Sequence, residues 1–334
     1  MGRTSSTGAD RFIQRAVAAR PPVRLVPGRC PFGHPPAQAT YSLGFDYEYH
    51  STPNEWRGVR CRECGTWYLD PRPAEEDFQI IYPADYVAYG TSDNGNAGRL
   101  VFRAKGWIEQ RKIRRYMRFI SSVSGDVLDV GCGDGLLLDG FRRAGFPASE
   151  LAGVELHPYA AELSRRKGYR VVEGDFERTD LGGERYRLVV MNQLVEHLVD
   201  PIAGLRRVHS ILRPGGVLFL ETPNLDSLNA RIAPRRTWGG YHYPRHLHLF
   251  SPSTIEAALH EAGLELVEIR YLPCPVQWVL TLNNALQERE RPPRVLLRFL
   301  DWKNPVLLGV FTIADLLLLP LGTANMQVVG RRPS

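Results

Sequence analysis

The sequence predicts an α/β fold with a mostly parallel sheet, preceded by a small cysteine-containing module. From Asp126 onward, apolar runs of four to seven residues alternate with stretches of helical periodicity, which is typical of βα units. The first of these runs leads into a glycine-rich turn. Before residue 90, the chain is instead rich in turns and aromatic residues and poor in Leu, Ile and Val. A module of that kind needs a metal ion or a neighbouring domain to complete its core.

Seven apolar runs are expected to form one sheet: Val127–Val130, Leu151–Glu155, Arg170–Glu173, Leu188–Asn192, Val217–Thr222, Leu264–Tyr271 and Gln327–Arg331. Helical spacing between the runs predicts the helices Leu136–Ala144, Pro158–Lys167, Pro201–Leu212 and Pro252–Ala262. Ser251 is a suitable N-cap for the last of these helices, because it precedes a proline in the first helical turn. One doubly wound domain accounts for the whole alternation.

The chain is expected to divide into four segments. Residues 1–29 form a basic flexible arm, residues 30–90 the cysteine-containing module, residues 91–98 a linker, and residues 99–334 the α/β domain. The α/β domain is expected to begin with a basic helix over Leu100–Ile120.

Residues 273–323 interrupt the alternation of strands and helices, and their length and apolar character predict a helical insertion. Its most apolar stretch, Pro305 to Leu321, has 17 residues and includes Asp315 and Pro320. A membrane span needs about 20 apolar residues, so a packed helical cap is favoured. A surface that contacts lipid or an apolar substrate tail is the alternative.

Charge and cysteine content restrict the class of protein. The net charge is +6, with six Arg and one acid in residues 1–29 and eight basic residues and one acid in residues 99–118. The following 216 residues carry 24 charges of each sign. A solvated basic arm is favoured over contact with nucleic acid or an anionic membrane. Five cysteines and no apolar signal core in the first thirty residues favour a cytoplasmic setting over a secreted disulfide scaffold.

The ends of three successive strands carry the residues of a ligand site. Three glycines alternate after the first strand: Gly131, Gly133 and Gly135. They let the main chain turn sharply and lie against a ligand. Glu155 ends the second strand, where an acid can accept both hydroxyls of a ribose. Asp175 follows the third strand, where its carboxylate can accept an exocyclic amine while Phe176 covers a base.

These residues resemble the motifs of the class I S-adenosylmethionine-dependent methyltransferases, in particular the branch similar to the ubiquinone-biosynthesis O-methyltransferases. Asp129–Gly135 looks like the family's first motif, Asn192–Pro201 its fourth-strand motif, and Leu212–Gly216 the turn before its fifth strand. The resemblance implies a Rossmann-like seven-stranded sheet with its last strand antiparallel, and S-adenosylmethionine as cofactor. The cofactor-binding residues that it implies are Asp129, Gly131, Cys132, Gly133, Gly135, Glu155, Leu156, Asp175, Phe176, Asn192 and Gln193.

Histidines after the fourth and fifth strands are candidates for the base that removes a proton from a hydroxyl acceptor. They are His197, His242, His246 and His248. Imidazole is suited to this task because it titrates near neutral pH. We expect the catalytic residues to be His197 and His246, together with Glu196.

A catalytic divalent cation is not expected. In some relatives of the ubiquinone enzymes the pattern E-x-x-E-H holds such a cation, and here Gln193 stands in place of the first acid. Hard cations prefer carboxylate oxygens, so the loss of one predicts no requirement for Mg²⁺.

Two cysteines at Cys61 and Cys64 have the spacing of a metal-binding knuckle, and Cys30 and His34 can supply the other half. Cys64–Pro73 resembles the zinc-ribbon leader found before many bacterial methyltransferases of this type. That leader usually begins C-x-x-C, whereas here Gly33 occupies the place of the second cysteine. The expected ligands of a structural zinc ion are Cys30, His34, Cys61 and Cys64, and a metal-free aromatic remnant is the alternative.

Three functions follow from these motifs. The leading prediction is an S-adenosylmethionine-dependent enzyme that O-methylates a small molecule: a sugar, a polysaccharide or lipid-linked intermediate, or a secondary metabolite. RNA methylation, with the zinc ribbon and the basic helix gripping phosphates, is the alternative. A non-catalytic zinc-ribbon adaptor is the third. The expected partner is therefore a small-molecule acceptor rather than nucleic acid, and peripheral contact with a membrane or a lipid-linked substrate remains open.

Overall fold

The computed structural model describes residues 20–36, 39–83, 111–120, 126–183 and 185–334. The chain forms two compact units. The first unit comprises Met1–Pro83, Thr222–Ile255 and Arg270–Gln327, and the second comprises Ala84–Glu221, Glu256–Ile269 and Val328–Ser334. The division into arm, module, linker and α/β domain stays a prediction.

Strands and short helices account for much of the described chain. The strands are β1 (Leu25–Val26), β2 (Thr40–Gly44), β3 (Trp56–Arg60), β4 (Trp67–Leu69), β5 (Arg72–Pro73), β6 (Val127–Val130), β7 (Leu151–Glu155), β8 (Arg170–Glu173), β9 (Tyr186–Asn192), β10 (Leu212–Pro223), β11 (His248–Leu249), β12 (Glu265–Leu272) and β13 (Asn325–Arg331). The α-helices are α1 (Phe78–Ile81), α2 (Leu136–Arg143), α3 (Pro158–Arg166), α4 (Pro201–Ile211), α5 (Leu228–Ile232), α6 (Pro252–Glu261), α7 (Pro275–Gln287), α8 (Arg294–Phe299) and α9 (Pro305–Leu318).

The predicted seven-stranded mixed sheet is confirmed, with the strand order β12-β13-β10-β9-β6-β7-β8. Strands β8, β7, β6, β9 and β10 pair in parallel. The chain runs outward from β6 through β7 to β8 and then returns to β9 on the other side of β6. The carboxyl end of β6 is therefore a topological switch point, where α/β sheets bind ligands.

The core of the second unit covers the sheet with aromatic rings. Tyr116, Phe141 and Phe219 are fully buried, and the Tyr116 and Phe219 ring centroids are 4.4 Å apart. Tyr116 belongs to a helical segment over residues 111–116. The predicted helix Leu100–Ile120 is therefore wrong at its carboxyl end, because residues 117–119 form a turn, and its residues before 111 lie outside the described ranges.

Polar side chains fix where the helices begin. Asp200 accepts a hydrogen bond from the Ala203 amide at 2.8 Å, which caps α4. Ser251 Oγ accepts one from the Thr254 amide at 3.2 Å, so the N-cap predicted for α6 is confirmed.

The first unit contains a four-stranded antiparallel sheet in the order β11-β4-β3-β2. Three of these strands come from residues 40–69, whereas β11 comes from residues 248–249. A second, two-stranded sheet pairs β1 with β5. Residues 25–26 of the predicted arm thus lie in a strand, paired with Arg72–Pro73.

The helical insertion predicted for residues 273–323 is present as α7, α8 and α9. Trp278 of α7 stacks on Phe311 of α9, with ring centroids 5.8 Å apart and planes 6° apart. The two helices are thus packed against each other within the first unit.

Candidate functional site

The glycine-rich turn after β6 takes the conformation that its sequence requires. Gly131, Gly133 and Gly135 have φ values of 76°, 53° and 83°, which only glycine adopts without strain. The Gly131 and Cys132 amides both donate to the Val154 carbonyl oxygen, at 2.8 and 3.1 Å. These bonds hold the turn against the carboxyl end of β7.

Close packing leaves no room for a side chain at Gly135 or at Gly153. A Cβ at Gly135 would lie 2.6 Å from Ser164 Oγ, and one at Gly153 would lie 2.4 Å from Cys132 Sγ. Burial, together with the charges of Asp129 and Glu155, raises the pKa of the Cys132 thiol. Cys132 is therefore a neutral, space-filling residue beneath the turn.

Glu155 connects the glycine-rich turn to the start of α3. Its Oε2 accepts a hydrogen bond from the Gly133 amide and its Oε1 accepts one from the His157 amide, both at 2.8 Å. The side chain is 8% exposed. A carboxylate has about four lone-pair positions, so each oxygen can accept one more donor.

The residues after β7 and β8 differ in accessibility. Leu156 is an apolar side chain that is 57% exposed. Asp175 is 40% exposed and accepts a hydrogen bond from the Glu177 amide at 2.9 Å. Phe176 is buried instead, with the Arg207 guanidinium 5.4 Å from its ring centroid. Leu156 and Asp175 are thus the more accessible of these predicted cofactor residues.

At the end of β9, the Asn192 Oδ1 atom is buried and has no hydrogen-bond partner among the described residues. A buried acceptor without a donor costs about 1–3 kcal/mol, so this atom is suited to a ligand donor. The next residue, Gln193, is exposed and has a φ of 51°, and its amide donates to the Glu221 carbonyl oxygen at 2.7 Å.

Glu177 is a half-buried acid that the sequence pattern did not reveal. Its carboxylate accepts hydrogen bonds from the Val199 and Asp200 amides at 3.1 and 3.0 Å. Burial raises its pKa. Glu177 thus links the loop after β8 to the loop that follows β9.

The predicted catalytic residues lie in different units. Glu196 and His197, in the second unit, occupy a 3₁₀ turn over Val195–His197, and Glu196 is fully buried. His246 lies in the first unit, where its Nδ1 is 2.8 Å from the Gly240 carbonyl oxygen. Because a carbonyl only accepts, Nδ1 carries the hydrogen and Nε2 carries the lone pair of the neutral ring.

The two remaining candidate histidines, His242 and His248, also have polar partners. His242 Nδ1 lies 2.7 Å from Glu48 Oε1. His248 Nε2 lies 3.3 Å from the Arg29 carbonyl oxygen, and its side chain is buried. Both therefore contact residues of the amino-terminal segment.

A fully buried ion pair joins Arg245, which lies between His242 and His248, to Asp46 near the amino terminus. Arg245 donates two hydrogen bonds to Asp46, at 3.0 and 2.9 Å, and both side chains have no exposed surface. Burial opposes ionisation of Asp46, but the Arg245 charge and the Ser51 hydrogen bonds outweigh it and hold the Asp46 pKa below its usual range. The Arg245 guanidinium lies 4.3 Å from the Tyr49 ring centroid.

The four predicted metal ligands are brought together. Cys30 Sγ lies 3.5 Å from both His34 Nδ1 and Cys64 Sγ, and Cys61 Sγ lies 3.5 Å from His34 Nδ1. All four ligand atoms lie within 4.8 Å of one another. Around a tetrahedral zinc ion with Zn–S bonds of about 2.3 Å, neighbouring ligand atoms are about 3.3–3.8 Å apart. The donor set and its spacing therefore fit zinc.

Both halves of this Cys/His cluster have the same local turn. The Gly33 amide donates to the Cys30 carbonyl oxygen, and the Gly65 amide donates to the Cys61 carbonyl oxygen, each at 3.0 Å. Both glycines have positive φ, 73° and 81°. Gly33, which stands where the related leader has its second cysteine, thus forms the turn that follows Cys30.

His34 Nδ1 lies 3.5 Å from both Cys30 Sγ and Cys61 Sγ, so it could supply the fourth ligand atom. Its other nitrogen, Nε2, lies 3.7 Å from Glu63 Oε2. Metal-binding histidines commonly direct their second nitrogen to a carboxylate in this way.

The basic segment before β6 does not present all its charges to solvent. Lys112 pairs with Glu221 at 3.0 Å and Arg115 pairs with Glu268 at 2.9 Å. These two cations are engaged within the second unit.

Solved structures of methyltransferases are among those to which this chain is similar. The crystal structure of a Burkholderia thailandensis 1,6-didemethyltoxoflavin-N1-methyltransferase with bound S-adenosylhomocysteine has a TM-score of 0.47 and 18% identity, covering 84% of this chain and 96% of that chain.

Sequence comparison identifies the family. A family described as a methyltransferase domain matches residues 105–269. A ubiquinone biosynthesis O-methyltransferase of Bordetella avium is 29% identical over 158 residues, 42% of this chain, and the chain spans 61% of that protein's length. One of Parvibaculum lavamentivorans is 31% identical over 183 residues, which are 49% of this chain and 71% of that protein. Because that relative is matched over more than two thirds of its length, the chain belongs to the class I S-adenosylmethionine-dependent methyltransferase family.

Proposed function

We propose that the protein O-methylates a small molecule with S-adenosylmethionine as methyl donor. The observation that carries the proposal is the position of Glu155, which is bound to the Gly133 amide at the topological switch point of the sheet. The similarity to the ubiquinone biosynthesis O-methyltransferases supports a hydroxyl acceptor. A sugar, a polysaccharide or lipid-linked intermediate, and a secondary metabolite are the proposed acceptor classes.

The residues at the carboxyl ends of β6 to β9 fit this cofactor. Glu155 has lone pairs for the two ribose hydroxyls, and the exposed Asp175 carboxylate can accept the adenine amine. The partnerless Asn192 Oδ1 is an acceptor for a donor group of the cofactor. The remaining proposed contacts are the main chain of the glycine-rich turn from Asp129 to Gly135 and the side chains of Leu156, Phe176 and Gln193. When bound, S-adenosylmethionine supplies a methyl group on a positively charged sulfur.

The protein has to orient the acceptor, exclude water and remove the proton of the acceptor hydroxyl. We assign the removal of the acceptor's proton to His246 or His197. His246 holds its Nδ1 hydrogen on the Gly240 carbonyl oxygen, which leaves Nε2 as the basic atom. Glu196, adjacent to His197 in the sequence, is the proposed acidic group of the same step.

Titration of the protein with S-adenosylhomocysteine by calorimetry tests the cofactor assignment. Hydrogen bonds to a charged group contribute about 1.5–3 kcal/mol each, so Glu155→Ala is expected to weaken binding by tenfold or more. Glu173→Ala is a matched control, because Glu173 ends β8 directly opposite Glu155 in the sheet and is exposed. Equal affinity of both variants and the wild type contradicts the assignment.

The acceptor is tested with radiolabelled methyl donor and panels of small hydroxyl compounds, lipid-linked sugars and RNA. Label in a small molecule supports the proposal, and label in RNA replaces it with RNA methylation. His197→Ala and His246→Ala are expected to lower turnover at neutral pH without changing S-adenosylhomocysteine affinity. His260→Ala, on the exposed face of α6, is the control. If the protein binds no cofactor and methylates no acceptor, the result supports the non-catalytic adaptor function instead.

We further propose that the Cys/His cluster binds one structural zinc ion. Native mass spectrometry is expected to show a single zinc adduct that Cys61→Ser removes and Cys274→Ser retains. Cys274 lies outside the cluster and is partly buried. All five cysteines are unbridged, which fits the cytoplasmic location that we propose. A wild-type protein without metal, folded and stable, supports the metal-free alternative.

A further inference from the structure

The helical insertion carries a row of apolar side chains that face solvent. On α9, Val306, Val310, Ile313 and Leu317 are 66%, 56%, 63% and 77% exposed. Their spacing of i, i+4, i+7 and i+11 aligns them along one side of the helix. We call this row the outer face of α9. A contiguous row of large exposed apolar side chains marks an interaction surface.

The opposite side of α9 is anchored within the first unit. Asp315 accepts hydrogen bonds from the Cys274 amide at 2.6 Å and from Trp278 Nε1 at 2.8 Å, and Phe311 stacks on Trp278. At about 100° per residue, Ile313 and Leu317 point about 160° away from Asp315. Asp315 is the only charged residue of α9, and it lies on the anchored side. The outer face is therefore purely apolar and is directed away from α7.

The segment between α7 and α9 adds positive charge next to this surface. Its exposed basic residues are Arg289, Arg291, Arg294, Arg298 and Lys303, against the exposed acids Glu290 and Asp301. Val295 and Phe299 of α8 are 84% and 51% exposed. Lys303 Nζ lies 5.0 Å from the centroid of the Trp302 ring. Exposed apolar and aromatic side chains interleaved with arginines are the pattern of a helix that lies in a membrane interface.

We propose that the outer face of α9, together with α8, docks on the surface of an anionic lipid bilayer. The basic residues of the 289–303 segment would contact lipid phosphates while the apolar row enters the boundary of the acyl chains. No α-helix among the described residues is long and apolar enough to cross a bilayer. With 14 residues, α9 is about 21 Å long and lies along the interface in this proposal.

Charge selects the bilayer over a second copy of the chain. A twofold dimer built on this surface would bury two copies of a surface with the same excess of positive charge, and like charges repel. Anionic headgroups instead neutralise the positive charge of the 289–303 segment, which has five exposed basic residues and two exposed acids.

Vesicle flotation with purified full-length protein tests the proposal. Vesicles of phosphatidylcholine alone are compared with vesicles that contain about 30% phosphatidylglycerol. Both samples are measured at about physiological salt concentration. We expect binding to the anionic vesicles and a loss of at least tenfold in Ile313→Glu/Leu317→Glu. Ile232→Glu is the matched control, because Ile232 is 61% exposed but lies on α5, outside the insertion.

A second variant pair tests the charge contribution. Each basic residue near an anionic surface contributes about fivefold in binding, so Arg294→Glu/Arg298→Glu is expected to lower vesicle affinity by at least 25-fold. Arg143→Glu/Arg231→Glu, at exposed positions on α2 and α5, makes the same charge change and is expected to leave affinity within a few fold. Raised salt should weaken wild-type binding.

Hydrogen exchange locates the contact. Amides of residues 294–318 should exchange more slowly when anionic vesicles are present, and Ile313→Glu/Leu317→Glu should remove that protection. The proposal is wrong if the wild type does not bind anionic vesicles, or if the outer-face variant binds as well as the wild type. It is also wrong if sedimentation shows a dimer that Ile313→Glu/Leu317→Glu dissociates while vesicle binding is absent. None of these readouts depends on methyl transfer, so the proposed activity stands or falls separately.

Discussion

The buried ion pair between Asp46 and Arg245 allows a quantitative prediction. Replacing Asp46 with Asn removes the negative charge and leaves an oxygen that can accept only part of the two hydrogen bonds from Arg245, now 3.0 and 2.9 Å long. Arg245 has no exposed surface, so water cannot replace the lost partner. Breaking such a pair costs about 3–5 kcal/mol.

Two neighbours reduce this cost. The Tyr49 ring lies 4.3 Å from the guanidinium carbon and contributes about 1 kcal/mol or somewhat more to holding the cation. Ser51 donates from both its amide and its hydroxyl to the same carboxylate oxygen, at 2.9 and 2.6 Å, and can still do so with Asn. We therefore expect the lower end of the range, about 3 kcal/mol in the free energy of unfolding.

Chemical denaturation at neutral pH measures this change. The surface pair Arg206–Glu261, more than half exposed on both sides, provides the control, and Glu261→Gln is expected to cost at most about 1 kcal/mol. The double variant Asp46→Leu/Arg245→Met should recover most of the loss, because no charge is then left buried. S-adenosylhomocysteine affinity should not change in Asp46→Asn or in the double variant. Asp46 and Arg245 lie in the first unit, whereas every proposed cofactor residue lies in the second.

The pH dependence of stability follows from the sign of the Asp46 pKa shift. The folded state holds the pKa below its unfolded value of about 3.9. The stabilisation from the ionised carboxylate is therefore fully present above that value and is lost as the pH falls toward the depressed folded pKa. The stability difference between wild type and the double variant should change below about pH 4 and be constant from pH 5 to 8. A single variant within 1 kcal/mol of wild type, or a double variant no more stable than the single, refutes this reasoning.

Two further predictions concern the cofactor edge of the second unit. Gly135→Ala should be less stable than Gly168→Ala by about 1–3 kcal/mol in thermal or denaturant unfolding, because both have positive φ but only the first places its Cβ 2.6 Å from a neighbouring atom; equal losses would show that the contact with Ser164 relaxes freely. Asn192→Leu removes a buried acceptor without a partner, so we expect unfolding free energy to stay constant or rise by up to about 1 kcal/mol while S-adenosylhomocysteine binding weakens. A variant that binds as tightly as wild type excludes Asn192 from the cofactor site.

Burial explains which strands could be predicted from the sequence. Val127–Val130 and Leu151–Glu155 are buried at every position, so each appears as a short, mostly apolar run with a single acid. The two-residue strands β1 and β11 have no such pattern. Their partners, Arg72–Pro73 and Trp67–Tyr68, are distant in sequence, and only the folded chain brings them together.

The candidate site was predictable where backbone geometry restricts the residue type. Alternating glycines with positive φ and the acid at the end of β7 follow from the order of strands and turns. Glu177 and the Asp46–Arg245 pair could not be recognised in this way. A single acid in a polar loop has the same appearance whether it is solvated or buried, and the partner of Asp46 lies 199 residues away.

The segmented composition of the two units has a consequence for protein engineering. The chain passes from one unit to the other five times, at residues 83/84, 221/222, 255/256, 269/270 and 327/328. Deleting residues 1–83 would therefore not remove an autonomous leader. It would strip β11 of its partner β4 and leave Arg245, His242 and His248 without Asp46, Glu48 and Arg29. A gene truncated there encodes a chain in which the buried Arg245 cation has lost its carboxylate partner, so fragments for expression have to keep all three segments of the first unit in one polypeptide.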